Sequence, residues 1–373
     1  MVSNTSSTGH SPDEAQAPNA WAAKCVEILR LYFRVYRVVS HSERIVEVYV
    51  EGPLEPVSWE RALKLAYKAT IDNGCYMRLL KRREAPSILL VKPESSRRNR
   101  ALVNLTLLLI TLGTVYLSGL AFAGEKYGSG FAWSPVGYLT ALLVPLLLHE
   151  TGHWTALRRY KTPASLPYLI PAPPLQLGFI GTFGAIIDMR WLPPDNIALA
   201  TVGIAGPITG FIAALPFAFY GVKHSVVLPL GSETGTLPVV PLILALLPAP
   251  RSVGPHEALV MSPMAFASYV VFLVTFLNLL PIATLDGGHI IRALLGYRTH
   301  YAVSVTVTLA LLAASYKWPV FTLFALLALL ILYLNRLGHP GTATGVEKHD
   351  FRLAIIGVLY AALLILTLPV PVS

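Results

Sequence analysis

The feature that most constrains this chain is a series of apolar segments that begins at residue 101 and continues almost to the last residue. Only 13% of the 373 residues are charged, against about 25% in typical soluble domains. The pattern predicts a polytopic α-helical membrane protein of about six to seven spans in the cell membrane. Seven segments approach the length that crosses about 30 Å of hydrocarbon, although the fifth is short: residues 101–123, 138–157, 197–220, 264–281, 301–315, 318–334 and 353–370.

A further apolar stretch, residues 238–247, is short and contains prolines, and we interpret it as interfacial or re-entrant. If it does not cross, Arg97, Arg158, Arg292 and most other basic residues share one side of the membrane. If it crosses, this bias disappears. The positive-inside rule favours the first arrangement and places the N-terminal region in the cytoplasm. The net charge of +9 then follows the membrane topology and does not indicate a nucleic-acid partner.

The sequence predicts that residues 97–373 form the transmembrane domain and that the region before them has two parts. Residues 1–19 are polar and are expected to be a disordered tail, and residues 20–96 are expected to form a small α+β cytoplasmic domain. Because cytosolic disulfides are rare, we interpret Cys25 and Cys75 as reduced thiols. The periodicity predicts helices over 21–39 and 58–71, and strands over 44–50, 76–81 and 87–91.

The second apolar segment contains an ionisable cluster, His149, Glu150 and His153. Ionisable groups are costly inside a span, so they indicate a functional site by default. The His-Glu-x-x-His spacing places both histidines on one helical face as metal ligands, with the glutamate beside them as general base. The alternative is a chance match in a helix end at the membrane interface.

A catalytic zinc ion takes three protein ligands and one water, so a third ligand is required. Asp286 is the candidate, because it follows the fourth predicted span at the same side of the membrane as the histidines. The alternative for Asp286 is an aspartate that caps the turn before Gly287 and Gly288.

Together these motifs resemble the site-2 protease family of intramembrane zinc metalloproteases, over residues 138–296. The second motif runs from Asn278 through Pro281 to Leu285-Asp286-Gly287; Leu279 stands where many bacterial members have proline. The resemblance implies one catalytic zinc ion on His149, His153 and Asp286, with Glu150 as base. It also implies that Asn278 contacts the substrate or stabilises the oxyanion.

We expect residues 163–190 to form a membrane-embedded loop or β-hairpin, because the stretch is apolar and rich in glycine and proline. Its edge could pair with an extended substrate, with Gly178, Gly181 and Thr182 as contact residues. Close helix packing is the competing interpretation of these glycines, and the preferred one for residues 206–210. His289 could hydrogen-bond a ligand, although an interfacial histidine is the simpler interpretation. His339 and His349 are interpreted as solvated loop residues.

The function that these features predict is hydrolysis of peptide bonds within or near transmembrane segments of membrane-tethered substrates. The implied partners are transmembrane proteins, the lipid bilayer and an upstream site-1-type protease. The N-terminal domain is expected to recruit or gate substrates. Two rivals use the same residues: a non-catalytic membrane metal-binding or transport protein, and an inactive scaffold. The absence of a convincing internal repeat disfavours the transporter, and the occupied catalytic positions disfavour the scaffold.

Overall fold

The structure, a computed structural model, describes residues 19–81, 85–93, 100–122, 128–229, 237–254, 256–319, 321–335, 338–348 and 350–371. The chain divides into two compact units. The first is Met1–Ser96 with Ala343–Gly345, and the second is Arg97–Thr342 with Val346–Ser373. The predicted tail, apart from Asn19, lies outside the described residues, as does Arg97.

The first unit is a four-stranded antiparallel sheet with two helices, in strand order β1-β2-β4-β3. Its helices are α1 (Ala20–Arg30) and α2 (Trp59–Asp72), and its strands are β1 (Phe33–Ser42), β2 (Ile45–Pro53), β3 (Tyr76–Lys81) and β4 (Pro86–Val91). The buried faces of α1 and α2 carry Leu29 and Tyr67, and β2 contributes Val46, Val48 and Val50 to the core.

Sequence patterns in this unit predicted three of its four strands, but the length of the first helix was wrong. Ser58 accepts a hydrogen bond from the backbone N–H of Arg61 and so caps α2 as predicted. The predicted helix over 21–39 ends instead at Arg30, and residues 33–42 pair with β2. The stretch from Phe33 to Val39 is rich in aromatic and β-branched residues, which favour a strand when a partner strand is available.

Cys25 and Cys75 form a disulfide, so their interpretation as reduced thiols was wrong. Both side chains are fully buried, with Cys25 on α1 and Cys75 directly before β3. Their Cα atoms lie 6.3 Å apart, within bridging distance. The interpretation rested on a predicted compartment, whereas the pairing depends on the packing of α1, which the spacing of the cysteines does not reveal.

In its described residues the second unit is mainly helical, with three two-stranded antiparallel sheets formed by segments between and after the helices. Its helices are α3 (Arg100–Phe122), α4 (Pro135–Arg159), α5 (Asn196–Lys223), α6 (Leu242–Ala245), α7 (Pro263–Leu279), α8 (Asp286–Lys317), α9 (Phe321–Leu334) and α10 (Phe351–Thr367). The sheets pair β5 (Tyr168–Pro171) with β6 (Thr182–Ile186), β7 (Val226–Pro229) with β9 (Glu257–Val260), and β8 (Val239–Pro241) with β10 (Pro369–Pro371).

Several of the described helices have the composition of membrane segments, and three of them also have the length. Leu102–Phe122, Asn196–Lys223 and Asp286–Lys317 are each long and apolar enough to cross a bilayer, and α7, α9 and α10 are shorter apolar helices. Large apolar side chains on α3 and α9, such as Leu102, Leu109 and Leu330, are exposed. Exposed apolar side chains in this number suit a lipid environment. This is a membrane protein, and the number of crossings stays a prediction.

Each of the seven predicted apolar segments lies largely within a helix. Two regions, the fifth segment and residues 238–247, do not form separate straight helices. The fifth segment is the C-terminal part of α8, which bends at Gly296, where a φ of 79° requires the freedom of glycine. Residues 238–247 form β8 and the single-turn α6. Four helical residues are too few to cross a bilayer.

The core of the second unit lies where α4, α5 and α7 pack together. Its buried residues include Tyr138 and Leu142 of α4, Phe211 and Ala214 of α5, and Phe272 of α7. Because α5 presents many alanines and glycines to its neighbours, its backbone approaches both α4 and α8 closely. This central helix therefore sets the distance between α4 and α8.

We expect the disulfide to contribute substantially to the stability of the first unit. Replacing both cysteines by alanine should lower the free energy of unfolding of that unit by about 4 kcal/mol, because the disulfide joins residues that are 50 positions apart in the sequence. Denaturant titration of the full chain, followed by the exposure of Trp21 and Trp59, measures this change. Chain unfolded without reductant should react with no thiol reagent, and two reactive thiols would contradict the assignment.

Candidate metal centre

The predicted metal-binding helix is α4, which carries His149 and His153 on one buried face. Ser134 caps it by accepting the N–H of Gly137 at 2.9 Å, and Pro135 occupies its first position, where no amide hydrogen is needed. The side chains of both histidines are nearly excluded from solvent, and their Nε2 atoms lie 3.0 Å apart. The i, i+4 spacing therefore brings the two imidazoles to one point, as predicted.

Glycines of α5 make room for both rings. A Cβ on Gly206 would overlap the Nε2 atom of His153, and a Cβ on Gly210 would lie 2.9 Å from the Cβ of His149. The interpretation of residues 206–210 as a packing motif is therefore confirmed, and the packed groups are the proposed ligands themselves. The geometry of the two histidines depends on the absence of side chains at Gly206 and Gly210.

The backbone of α5 also fixes the protonation of His153. Its Nδ1 atom lies 2.7 Å from the carbonyl oxygen of Val202. A carbonyl oxygen only accepts, so Nδ1 carries the hydrogen, and a neutral ring then presents a lone pair at Nε2. This is the arrangement by which metal-binding histidines are commonly oriented.

Asp286 comes to the same point from the start of α8. Its Oδ2 atom lies 3.3 Å from Nε2 of His149, and its Oδ1 atom lies 3.3 Å from Nε2 of His153. The following Gly287 lets the helix begin here, because a Cβ at that position would overlap the carbonyl oxygen of Leu279. The close approach that glycine permits thus carries the carboxylate to the two histidines.

The loop that leads into Asp286 is held from behind by α8. The Nε2–H of His300 donates to the carbonyl oxygen of Ala283 at 3.0 Å, and Ser304 donates to that of Pro281 at 2.9 Å. Ala283 has a φ of 45°, a left-handed conformation that a residue with a side chain keeps only when its surroundings enforce it. These hydrogen bonds enforce it, and they position the carboxylate of Asp286.

The three side chains form a triangle, with 3.0 Å between the two Nε2 atoms and 3.3 Å from each Nε2 atom to one of the two carboxylate oxygens of Asp286. A tetrahedral zinc site with ligand distances of about 2.0–2.1 Å has edges of about 3.3 Å, so the residues fit this ion. Asp286 Oδ2 is buried and makes no hydrogen bond with any described residue. A buried carboxylate whose two oxygens each face an imidazole nitrogen is stabilised by a cation, and a metal ion held between the three side chains would provide one.

Glu150 lies beside this triangle. A ligand atom of its carboxylate is within 4.8 Å of those of both histidines. The carboxylate faces a cavity of about 260 Å³. The cavity is lined from α4 by His149, Glu150, His153 and Leu157, from the β6 side by Ala185, Ile186, Ile187 and Met189, from α5 by Val202, and from the α7–α8 region by Asn278, Thr284, Leu285, Asp286 and His289.

The predicted contact residues divide into two groups. Asn278 lines the cavity, as its proposed role requires. Gly178 ends a 3-10 turn with a φ of 85°, Gly181 packs against the backbone of Val115, and Thr182 donates to the carbonyl oxygen of Ile170. The structure gives these three residues parts in shaping the hairpin, and their contact with a substrate stays a prediction.

The hairpin predicted within residues 163–190 consists of β5 and β6. It is tied to α3, where Thr114 donates to the carbonyl oxygen of Gly181 at 2.6 Å, and to α4, where Tyr138 donates to that of Ile180 at 3.1 Å. Residues 185–187 at the end of β6 line the cavity beside Glu150. An extended segment therefore borders the proposed metal site.

Two histidines, His289 and His339, are more closely connected with the site than the sequence predicted. His339, interpreted as a solvated loop residue, is buried, and its Nε2 atom lies 2.7 Å from Nδ1 of His289. His289 is buried and lines the cavity, so the interfacial interpretation was also wrong. The position of His289 one turn after Asp286 was a usable signal, but nothing in the sequence joins it to a residue 50 positions away. His349 lies outside the described residues.

Replacing Gly206 by alanine should lower the zinc affinity of the protein by about 10–100-fold, because the added Cβ displaces the ring of His153. Chelator competition with metal analysis measures the change. Gly113→Ala on α3 is the matched control, since a Cβ there meets nothing within 4 Å. Equal zinc affinity in the two variants would contradict the close contact.

Comparison with known proteins gives a family match and matches to two plant proteins. The model of Peptidase family M50 matches residues 137–326, just over half of the chain. A rice protein (Oryza sativa subsp. japonica) named "Probable zinc metalloprotease EGY1, chloroplastic" is 30% identical over 184 residues, which cover 46% of this chain and 30% of that protein. Its namesake from Arabidopsis thaliana is 29% identical over 170 residues, which cover 43% and 30%.

The chain thus spans under a third of the length of each plant relative. The family match includes the residues of the proposed metal centre. No solved structure matches the chain significantly. The predicted resemblance to the site-2 proteases is confirmed by the family match over 137–326, and the chain belongs to Peptidase family M50.

Proposed function

We propose that this protein is an intramembrane zinc metalloprotease that hydrolyses peptide bonds within or near transmembrane segments of other proteins. The observation that carries the proposal is the triangle of His149, His153 and Asp286 with Glu150 beside it, inside an apolar helical unit. Membership of a peptidase family supports the same reaction. A carboxylate next to a metal site, but outside its triangle, is the arrangement that metal-assisted hydrolysis requires.

The chemistry divides between the metal and the chain. A zinc ion held by His149, His153 and Asp286 would supply Lewis acidity toward water and the scissile carbonyl. Glu150 accepts the proton of the attacking water on a carboxylate oxygen and then delivers it to the nitrogen of the leaving amine.

The substrate must be extended before it can be cut, because a helical segment has its carbonyl groups already hydrogen-bonded. Ala185 and Ile186 of β6 and the following Ile187 line the cavity, and we propose that their backbone is the edge with which a substrate pairs. A substrate strand paired there would run past Glu150 and could meet the side-chain amide of Asn278. Strand addition would thus both unwind the substrate segment and place it beside Glu150.

The cellular setting is part of the proposal. The distribution of basic residues favours a cytoplasmic first unit and an active site that opens toward the cytoplasm. In this setting the substrates are membrane-tethered proteins, cleaved in the bilayer after an upstream site-1-type protease has shortened them. The first unit recruits or gates them. Removal of residues 1–96 should then reduce selectivity among substrates.

The rival proposal is a metal-binding or transport protein that uses the same ligands without catalysis. A transporter gives no role to the Glu150 carboxylate beside the triangle, or to a strand edge along the cavity. Metal flux into proteoliposomes without any peptidase activity would favour it.

Replacing Glu150 by glutamine should abolish cleavage while leaving zinc binding intact, because the change removes the base and spares all three proposed ligands. The loss should be at least about 100-fold in kcat. Purified protein in lipid vesicles with a single-span substrate, together with metal analysis of the same sample, measures both quantities.

Asp286→Ala is the complementary variant and should lose zinc and cleavage together. Glu257→Gln is a matched control, since Glu257 pairs with Arg251 at 2.7 Å in a connection and does not line the cavity. Cleavage by Glu150→Gln at the wild-type rate would overturn the mechanism.

Pairing of the substrate with β6 should be detectable by disulfide trapping. In the Glu150→Gln background, a cysteine at Ile187 should cross-link to a single cysteine placed near the scissile bond of a substrate. A cysteine at Leu169 on β5 should not, because that side chain is buried away from the cavity. Equal cross-linking from both positions, or none from Ile187, would contradict the pairing.

A further inference from the structure

Beyond the four residues of the proposed mechanism, two histidines form a chain that ends at the cavity. His289 lies on α8 one turn after Asp286, and His339 lies in the segment between α9 and α10. Both side chains are buried, and His289 alone of the two lines the cavity. Nothing in the metal triangle requires either ring.

The first link of the chain is a backbone amide. The N–H of Gly341 donates to Nδ1 of His339 at 2.9 Å. This nitrogen must therefore offer a lone pair, and the hydrogen of a neutral ring then resides on Nε2. Burial lowers the pKa of His339, which keeps its ring neutral.

The second link joins the two rings. Nε2 of His339 lies 2.7 Å from Nδ1 of His289. Since the hydrogen of His339 is on Nε2, His339 donates and Nδ1 of His289 accepts. A doubly protonated His289 is incompatible with this bond, because His339 would then have to accept at both nitrogens. His289 is thus a neutral ring that carries its hydrogen on Nε2.

The remaining atom, Nε2–H of His289, is free to act at the cavity. It makes no hydrogen bond to any residue in the described part of the chain, and the ring borders the cavity with Glu150 and Asn278. A nitrogen that carries hydrogen has no lone pair, so it cannot be a fourth metal ligand. A fixed N–H donor is instead suited to an oxygen atom that gains negative charge during the reaction.

We propose that His289 is a further catalytic residue, which donates its Nε2–H to the oxygen of the scissile carbonyl, and that His339 is a positioning residue that fixes this tautomer. The inference rests on the proposed hydrolysis. The hydrogen bond strengthens as the carbonyl carbon becomes tetrahedral and its oxygen becomes anionic, so it lowers the barrier more than it aids binding. The Gly341 amide sets the direction of both hydrogen bonds, because a backbone N–H can only donate.

Kinetics separate this role from a structural one. His289→Leu should lower kcat by about 10²–10³-fold, the range for loss of one oxyanion donor, with KM and zinc content unchanged. His289→Gln places an amide N–H near the position of Nε2 and should recover at least about tenfold of that loss. His339→Phe should lower kcat by about tenfold, because the His289 ring is then free to adopt either tautomer. His224→Leu, at an exposed site at the end of α5, is the control and should keep the wild-type kcat.

A second measurement does not depend on cleavage. Nitrogen-15 NMR of histidine-labelled, zinc-loaded protein should show His289 with hydrogen on Nε2 and none on Nδ1, and His339→Phe should remove this preference. If the wild type cleaves and Glu150→Gln does not, the proposed function stands on its own. The inference about His289 is overturned if His289→Leu keeps kcat within threefold, if it loses zinc in step with activity, or if NMR finds Nε2 without hydrogen.

Discussion

The second unit depends on how closely two helical backbones approach each other. α5 can lie against α4 only because Gly206 and Gly210 carry no side chains where His153 and His149 project. The same approach places the carbonyl oxygen of Val202 where it fixes the tautomer of His153. Small-residue packing, usually regarded as a source of helix association in lipid, here also determines the geometry of a polar site.

Asp286 enters this site through a different device, a loop of enforced shape rather than a regular helix. His300 and Ser304 of α8 reach back to the carbonyl groups of the loop that precedes their own helix, and Ala283 adopts a left-handed conformation between them. The loop therefore cannot relax without breaking buried hydrogen bonds, which would cost several kcal/mol in a water-poor environment. Rigid support of this kind keeps a carboxylate close to two imidazoles.

Much of this arrangement follows from sequence patterns whose partners are near in the chain. The i, i+4 spacing predicted the meeting of His149 and His153, and hydropathy predicted an apolar segment in each long helix of the second unit, although it missed the first part of α8 that begins at Asp286. Contacts between distant residues could not be derived in this way. The pairing of His289 with His339 and the disulfide of Cys25 with Cys75 depend on tertiary packing. The first helix was overextended because strand formation from Phe33 depends on the partner strand β2.

The disulfide keeps the two parts of the first unit joined even when the backbone between the cysteines is cut. The chain between Cys25 and Cys75 is a covalent ring that contains β1, β2 and α2. A single cut in the exposed turn around Leu54 would open this ring without separating the two fragments. The unit would remain tethered to the membrane-embedded part after such a nick, so damage to its surface need not detach it.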